Sequence, residues 1–178
     1  LANFVLRKLR EYPSSGGPMT YAVSVKNKDL IEKTNSLLSS IGWKGMCCTE
    51  YIFDSRTSTF KLTEINTRFY GAIGTALHSG INFPHIIVDS LKGKNVTYNC
   101  DYKVDSKWRW LFFGDILSAI DLRHSKRAKY SDFFSFRDVN FAIFSFSDLG
   151  ATVGNILDVI YRLLNSGERK FALDRGSR

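Results

Sequence analysis

No apolar run in the chain approaches the roughly 20 residues that a membrane-spanning helix needs, and no signal-peptide pattern opens it, so no membrane partner is expected. Cysteine is scarce. The three residues Cys47, Cys48 and Cys100 show no C-x-x-C spacing, which excludes a zinc or redox motif of that kind and a disulfide framework. A reducing cytoplasm is the expected setting, with the thiols as small apolar fillers. No Ser-His-Asp or Cys-His signature is present, so a covalent side-chain nucleophile is not expected. Internal repeats and low-complexity segments are missing too. The chain starts at Leu1, not Met, and enters a strand-like stretch at once, so we expect a piece of a longer protein.

What remains is ordinary globular material, 44% hydrophobic and 14% aromatic over 178 residues, enough for a substantial core. The net charge of +8 invites an anionic partner. Basic residues cluster in Arg7 to Arg10, in Arg123 to Lys129 and from Arg169 onward, not along one helix interleaved with stacking aromatics. A nucleoside triphosphate serves the first cluster as well as nucleic acid does, and the other two fit a solvated surface. A basic nucleic-acid-binding domain without catalysis therefore stands as the alternative function. Asn95-Val96-Thr97 matches a glycosylation sequon, which we read as chance.

The informative stretch is Trp43 to Tyr70. β-branched and aromatic residues flank the polar cluster Asp54 to Ser58, which predicts a hairpin folding near Thr57 through a four- or five-residue turn. About that centre Glu50 faces Glu64. Side chains alternate faces along a strand, so Asn66 shares the face of Glu64, and Arg68 does too if the strand lasts that long. Like charges directly opposite each other destabilise a hairpin unless something positive sits between them. Carboxylate and amide oxygens are hard ligands, and a site with few protein oxygens suits Mg²⁺, which completes its shell from water and a bound phosphate. Arg68 would hold an anion beside the metal. The same spacing also fits a solvated sheet face in another register.

Around this hairpin, residues 2–11 read as a strand, with Arg7 and Arg10 on opposite faces. Tyr12 to Pro18 is a loop by its glycines and prolines, and its successive N–H groups can wrap an anion. Met19 to Lys26 alternates as a strand, and Leu30, Ile31, Thr34, Leu37, Leu38 and Ile41 recur at helical spacing before Gly42. Small residues from Gly71 to Ala76 predict a helix whose start points at the carboxylate patch. His78 lies late on it and reads as a surface or packed residue. Pro84 opens another helix through Leu91, closed by Gly93. Tyr98 to Val104 is expected as an edge strand, Trp108 to Leu122 as a helix, and Leu149 to Leu164 as a closing helix. The phenylalanines between Phe133 and Phe146 are expected in short strands or a docking loop.

Glu64-Ile65-Asn66-Thr67-Arg68-Phe69 resembles the E-x-N-P-R segment of ATP-grasp enzymes, with Thr67 where the family usually has proline. Trp43-Lys44-Gly45 and Thr49-Glu50-Tyr51 resemble the preceding strand. Arg7 to Pro13 with Gly16-Gly17, and Gly80-Ile81-Asn82-Phe83-Pro84, resemble the branch close to the large chain of carbamoyl-phosphate synthase. The likeness is strong over roughly the first half of the chain. It implies an α+β fold, the ATP-grasp C-terminal subdomain with a mostly antiparallel sheet flanked by helices. Residues 1–93 would be a catalytic subdomain lacking its N-terminal part, and 94–178 an extension packing on it.

The implied function is an ATP-dependent carboxylate-amine ligase that binds Mg-ATP and passes through an acyl phosphate. Its site would take Glu50, Glu64 and Asn66 as metal ligands, Arg68 as the catalytic residue, and Arg7, Arg10, Gly16 and Gly17 as nucleotide-binding residues. Its partners would be ATP, Mg²⁺ and small carboxylate and amine substrates, with self-association open. The piece alone is expected to be poorly active, because the family's adenine pocket comes largely from a subdomain preceding Leu1.

Overall fold

The computed structural model describes residues 2–94, 101–124, 133, 138–145, 147–165 and 167. In chain order the elements are β1 (Val5–Glu11), β2 (Met19–Val25), α1 (Lys28–Ser40), β3 (Cys48–Asp54), β4 (Thr59–Asn66), α2 (Ile73–His78), α3 (Phe83–Leu91), β5 (Lys107–Arg109), α4 (Ile116–His124), β6 (Val139–Phe141) and α5 (Leu149–Leu164). They make the expected mixture of antiparallel strand pairs and flanking helices. The chain separates into two compact units, one of Leu1–Val5 and Ser24–Val104, the other of Leu6–Val23 and Asp105–Arg178.

The first unit holds the hairpin β3–β4, a two-stranded sheet, with α1, α2 and α3. Asn27 starts α1 by accepting the Leu30 N–H at 3.0 Å, as a short polar side chain does ahead of an apolar stripe. The Thr34 and Tyr51 hydroxyls, 2.9 Å apart, tie α1 to β3. Asn82 caps α3 through the His85 N–H at 3.1 Å, with Pro84 in the first turn where its missing N–H is no loss. The core is Ala76, Ile81 and Tyr102, packed on by Ala2, Phe4, Phe83 and Ile86. Burying a tyrosine requires partners for its hydroxyl. Tyr102 accepts the Val5 N–H at 3.2 Å and donates to the Val25 carbonyl at 2.7 Å, while its ring lies 4.7 Å from that of Phe4.

Residues 101–104 are irregular instead of an edge strand, and Tyr98 to Cys100, like the sequon, lie outside the described residues. The helix expected from Trp108 to Leu122 also divides. Its first residues enter the sheet, because the Trp110 N–H donates to the Thr20 carbonyl at 2.9 Å and the Arg109 carbonyl accepts the Ala142 N–H at 2.9 Å. A π-helical turn, Leu111–Asp115, then leads into α4.

The second unit carries a four-stranded sheet in the order β1-β2-β5-β6. β2 and β5 pair antiparallel, with Tyr21 opposite Arg109, and β5 and β6 pair parallel, with Trp108 opposite Asn140. The π-turn closes by an N–H of Asp115 on the Trp110 carbonyl at 2.8 Å. A Cβ on Gly114 would sit 2.8 Å from the Trp110 ring, so the turn needs glycine there. Its product is a buried carboxylate. Arg10 grips Asp115 with Nε at 2.6 Å and Nη2 at 2.7 Å, and Arg109 Nε lies 3.1 Å from the same group. Both guanidiniums stack on Tyr21, at 4.2 and 4.7 Å from its centroid, and Arg10 also on Phe133 at 4.1 Å. Of the phenylalanine-rich segment, Phe141 lies in β6, while Phe134, Phe136 and Phe146 lie outside the described residues, as do residues 125–129 and the tail from 168.

Candidate functional site

The hairpin turns through Ser55 to Ser58, where Asp54 Oδ1 accepts the Arg56 N–H at 3.0 Å and Ser58 takes a φ of +52°. Four turn residues put its centre between Arg56 and Thr57, not on Thr57. From there Asp54 pairs with Thr59, Phe53 with Phe60, Ile52 with Lys61 and Tyr51 with Leu62. Continued regularly, that register would set Glu50 against Thr63. It does not continue. A bulge falls between Glu50 and Tyr51, Thr63 is skipped, and Glu50 pairs with Glu64, Thr49 with Ile65 and Cys48 with Asn66. The Thr63 hydroxyl donates to the Glu50 carbonyl at 3.1 Å and helps pin the irregularity.

Directly opposite residues of an antiparallel pair share a face, and residues two apart on one strand do too. Cys48, Glu50, Glu64 and Asn66 therefore form a two-by-two block on one side of the hairpin. Both glutamates are exposed, while Cys48 and Asn66 are half-buried. Arg68 stands beyond the end of β4, exposed, with Nη1 donating to the Phe69 carbonyl at 3.2 Å.

The Cys48 thiol senses this arrangement. Burial pushes its pKa up to about 11, the Glu50 charge adds to the rise with smaller help from Cys47 and Glu64, and Arg68 pulls the other way. The hairpin glutamates and the arginine thus act on one thiol that sequence reasoning had treated as filler. Tyr70 belongs to the same neighbourhood. Burial raises its phenol, and Cys48 and Tyr102 raise it further. Its hydroxyl has no hydrogen-bond partner among the described residues.

The remaining candidates lie in the second unit. Arg7 is exposed on β1, whereas the Arg10 guanidinium is committed to Asp115 with only 8% of its side chain accessible. The Tyr12 to Pro18 loop closes by the Tyr12 N–H on the Pro18 carbonyl at 3.2 Å. Gly16 takes a φ of +133°, and a Cβ on Gly17 would lie 2.2 Å from the Tyr12 carbonyl oxygen, so both positions demand glycine. Two of the loop's N–H groups face carboxylates: Ser14 donates to Asp121 Oδ2 at 2.7 Å, and Gly17 reaches Glu11 Oε2 at 3.5 Å. The loop backbone receives anionic oxygen, here from the protein itself. At only six residues, α2 is too short for its start to act as an anion site, and His78 at its end is exposed.

Among the described residues no group of three or more His, Cys, Asp or Glu side chains could hold a metal ion, and no helix is long and apolar enough to cross a membrane. The hairpin block offers two carboxylates and an amide. That is a donor set too small for an all-protein cage but of the hard, oxygen-only kind that suits a magnesium ion retaining water and phosphate ligands. Residues 5–111 match a family model described as ATP-grasp in the biosynthetic pathway with Ter operon. No curated protein matches the chain.

Proposed function

The chain belongs to the ATP-grasp family, an ATP-dependent ligase-type domain, and on that premise we propose that it serves to activate a small carboxylate as an acyl phosphate for capture by an amine. The observation that carries this reading is the pairing of Glu50 with Glu64, with Asn66 two residues on. A fold gains nothing from opposing two carboxylates across a hairpin unless a cation joins them.

Glu50, Glu64 and Asn66 would hold Mg²⁺. Bound there, the ion would supply neutralising charge to nucleotide phosphate oxygens. Arg68 is the group free to stabilise that phosphoryl and the acyl phosphate, since its guanidinium is exposed and spends one N–H on a neighbouring carbonyl. Arg7 is proposed as a nucleotide contact through its exposed charge, and Gly16 and Gly17 through the loop they shape, whose own N–H groups are taken here by the Pro13 carbonyl and the Glu11 carboxylate. Arg10 contributes by position, holding β1 on Asp115. The amine attacks unaided, in keeping with a patch that contains no activated nucleophile.

Titration calorimetry of ATP into the chain with Mg²⁺ tests this, repeated across a panel of amino acids while phosphate release is followed. Glu64→Ala should weaken Mg-dependent nucleotide binding by about 10-fold or more. Binding that ignores Glu64→Ala and instead falls steeply with salt would favour the nucleic-acid reading.

Cys48 supplies an independent readout. Its thiol is held up in part by Glu50 and Glu64, so a cation on those carboxylates should lower it and raise the thiolate fraction at any pH below about 11. Alkylation of Cys48 at pH 8 should then accelerate about threefold or more on adding Mg²⁺, and Glu64→Gln should remove the acceleration. Because the fold disfavours the Cys48 thiolate, stability is unaffected by this group at low and neutral pH and falls as pH climbs from about 9 through about 11.

A further inference from the structure

Helix α5 is turned the wrong way for a helix in a closed fold. It buries Thr152 and half-buries Asn155, which lines a shallow cleft with Trp110, Phe141 and Phe144. Its start is fixed the same way, with Thr152 Oγ1 accepting the Ser145 N–H at 3.0 Å and the Asp148 side chain accepting the Ala151 N–H at 2.9 Å. The apolar stripe faces elsewhere. Leu149, Val153, Ile156, Ile160 and Leu163 follow one another at spacings of four, three, four and three, the rhythm of a two-helix seam. Their exposures are 61, 53, 37, 47 and 47%, and Leu157 and Leu164 beside them stand at 61 and 82%. A stripe of this size left in water marks an interaction surface.

We propose that this stripe docks a second copy of the chain, helix against helix, in a two-fold dimer. Three features favour an identical partner. Side chains at heptad spacing pack into the holes of the same pattern, so the surface is self-complementary, as a two-fold interface requires. The stripe asks for no opposite charge, since Asp158 and Arg162 answer each other within the helix at 2.8 Å. Leu, Ile and Val side chains exposed to these degrees present on the order of 600 Å², close to the ~800 Å² that each partner gives to a standard-size interface. With the helices parallel, the two-fold axis runs along the seam and brings each Ile156 beside its copy.

Sedimentation equilibrium of the chain from low to high micromolar concentration tests the proposal beside Ile156→Glu with Ile160→Glu. The expected result is reversible dimerisation that the double variant weakens by about 100-fold or more. Because both positions are exposed, the variant should keep the circular dichroism of the parent. Ile156→Cys should also form a disulfide-linked dimer under mild oxidation, with the 156-to-156 link identified by mass spectrometry. A chain that stays monomeric throughout overturns the proposal. So does a dimer that survives the double variant or yields no such link, and so does a monomer that takes up lipid vesicles through these residues.

Discussion

Asp115→Ala should lower the unfolding free energy by about 3–5 kcal/mol, the cost of leaving buried charge without its counterion. Asp115 is 1% exposed and Arg109 fully buried, and Arg10 retains 8% of its side-chain surface. Alanine would remove the carboxylate that both guanidiniums share while leaving them against the Tyr21 ring. The damage should spread, because Arg10 lies on β1, Arg109 on β5 and Asp115 on the turn before α4. Urea denaturation with backbone amide exchange on those three segments checks this. Ser118→Ala, which removes one hydroxyl donating to the Glu11 carbonyl at 2.9 Å, should cost only about 1 kcal/mol and serves as the scale. An Asp115→Ala loss no larger than that would mean the network is not what holds the second unit.

Glu64→Gln should act with opposite signs on two properties of the hairpin. In EDTA it removes a like-charge pair at Glu50 and should leave the melting temperature unchanged or slightly higher, by a fraction of a kcal/mol in stability. With Mg²⁺ and nucleotide present, the parent should gain stability by mass action, about 2.7 kcal/mol when ligand stands 100-fold above its dissociation constant. The variant should gain little. A purely structural glutamate would lose stability under both conditions, so thermal melts of both proteins in EDTA and in Mg-ATP separate the two roles.

The opposition of Glu50 and Glu64 was legible in the sequence, although by a route that two departures happened to cancel. Reflection about Thr57 reaches the correct pair. The real turn is centred half a residue earlier, and the skipped Thr63 restores the register. A bulge of that kind depends on local twist and on the Thr63 bond to the Glu50 carbonyl, neither of which periodicity can register. Helix α5 emerged with its observed ends because sixteen residues of strong periodicity follow the Asp148 cap. Which way it faces did not, since an apolar stripe is expected to turn inward.

The stretch from Trp108 to Leu122 failed for a different reason. Its apolar spacing is helical, but the backbone of Arg109 and Trp110 is claimed by strand neighbours far away in sequence, and tertiary pairing overrides a local pattern. Long-range ion pairs are equally invisible to such reading. Arg10 and Asp115 lie 105 residues apart, so a reading that expected Arg10 at the nucleotide could not see the buried carboxylate that holds its guanidinium. Cys48 had a findable signal: alternation places it on the face of Glu50.

The most direct measurement substitutes Mn²⁺ for Mg²⁺ and follows paramagnetic broadening of backbone amide signals in the nucleotide-bound chain. Joint broadening of Cys48, Glu50, Glu64 and Asn66, abolished by Glu64→Gln, is the predicted result. Broadening that spares β3 and β4, or that persists undiminished in Glu64→Gln, would contradict a metal shared by the two glutamates.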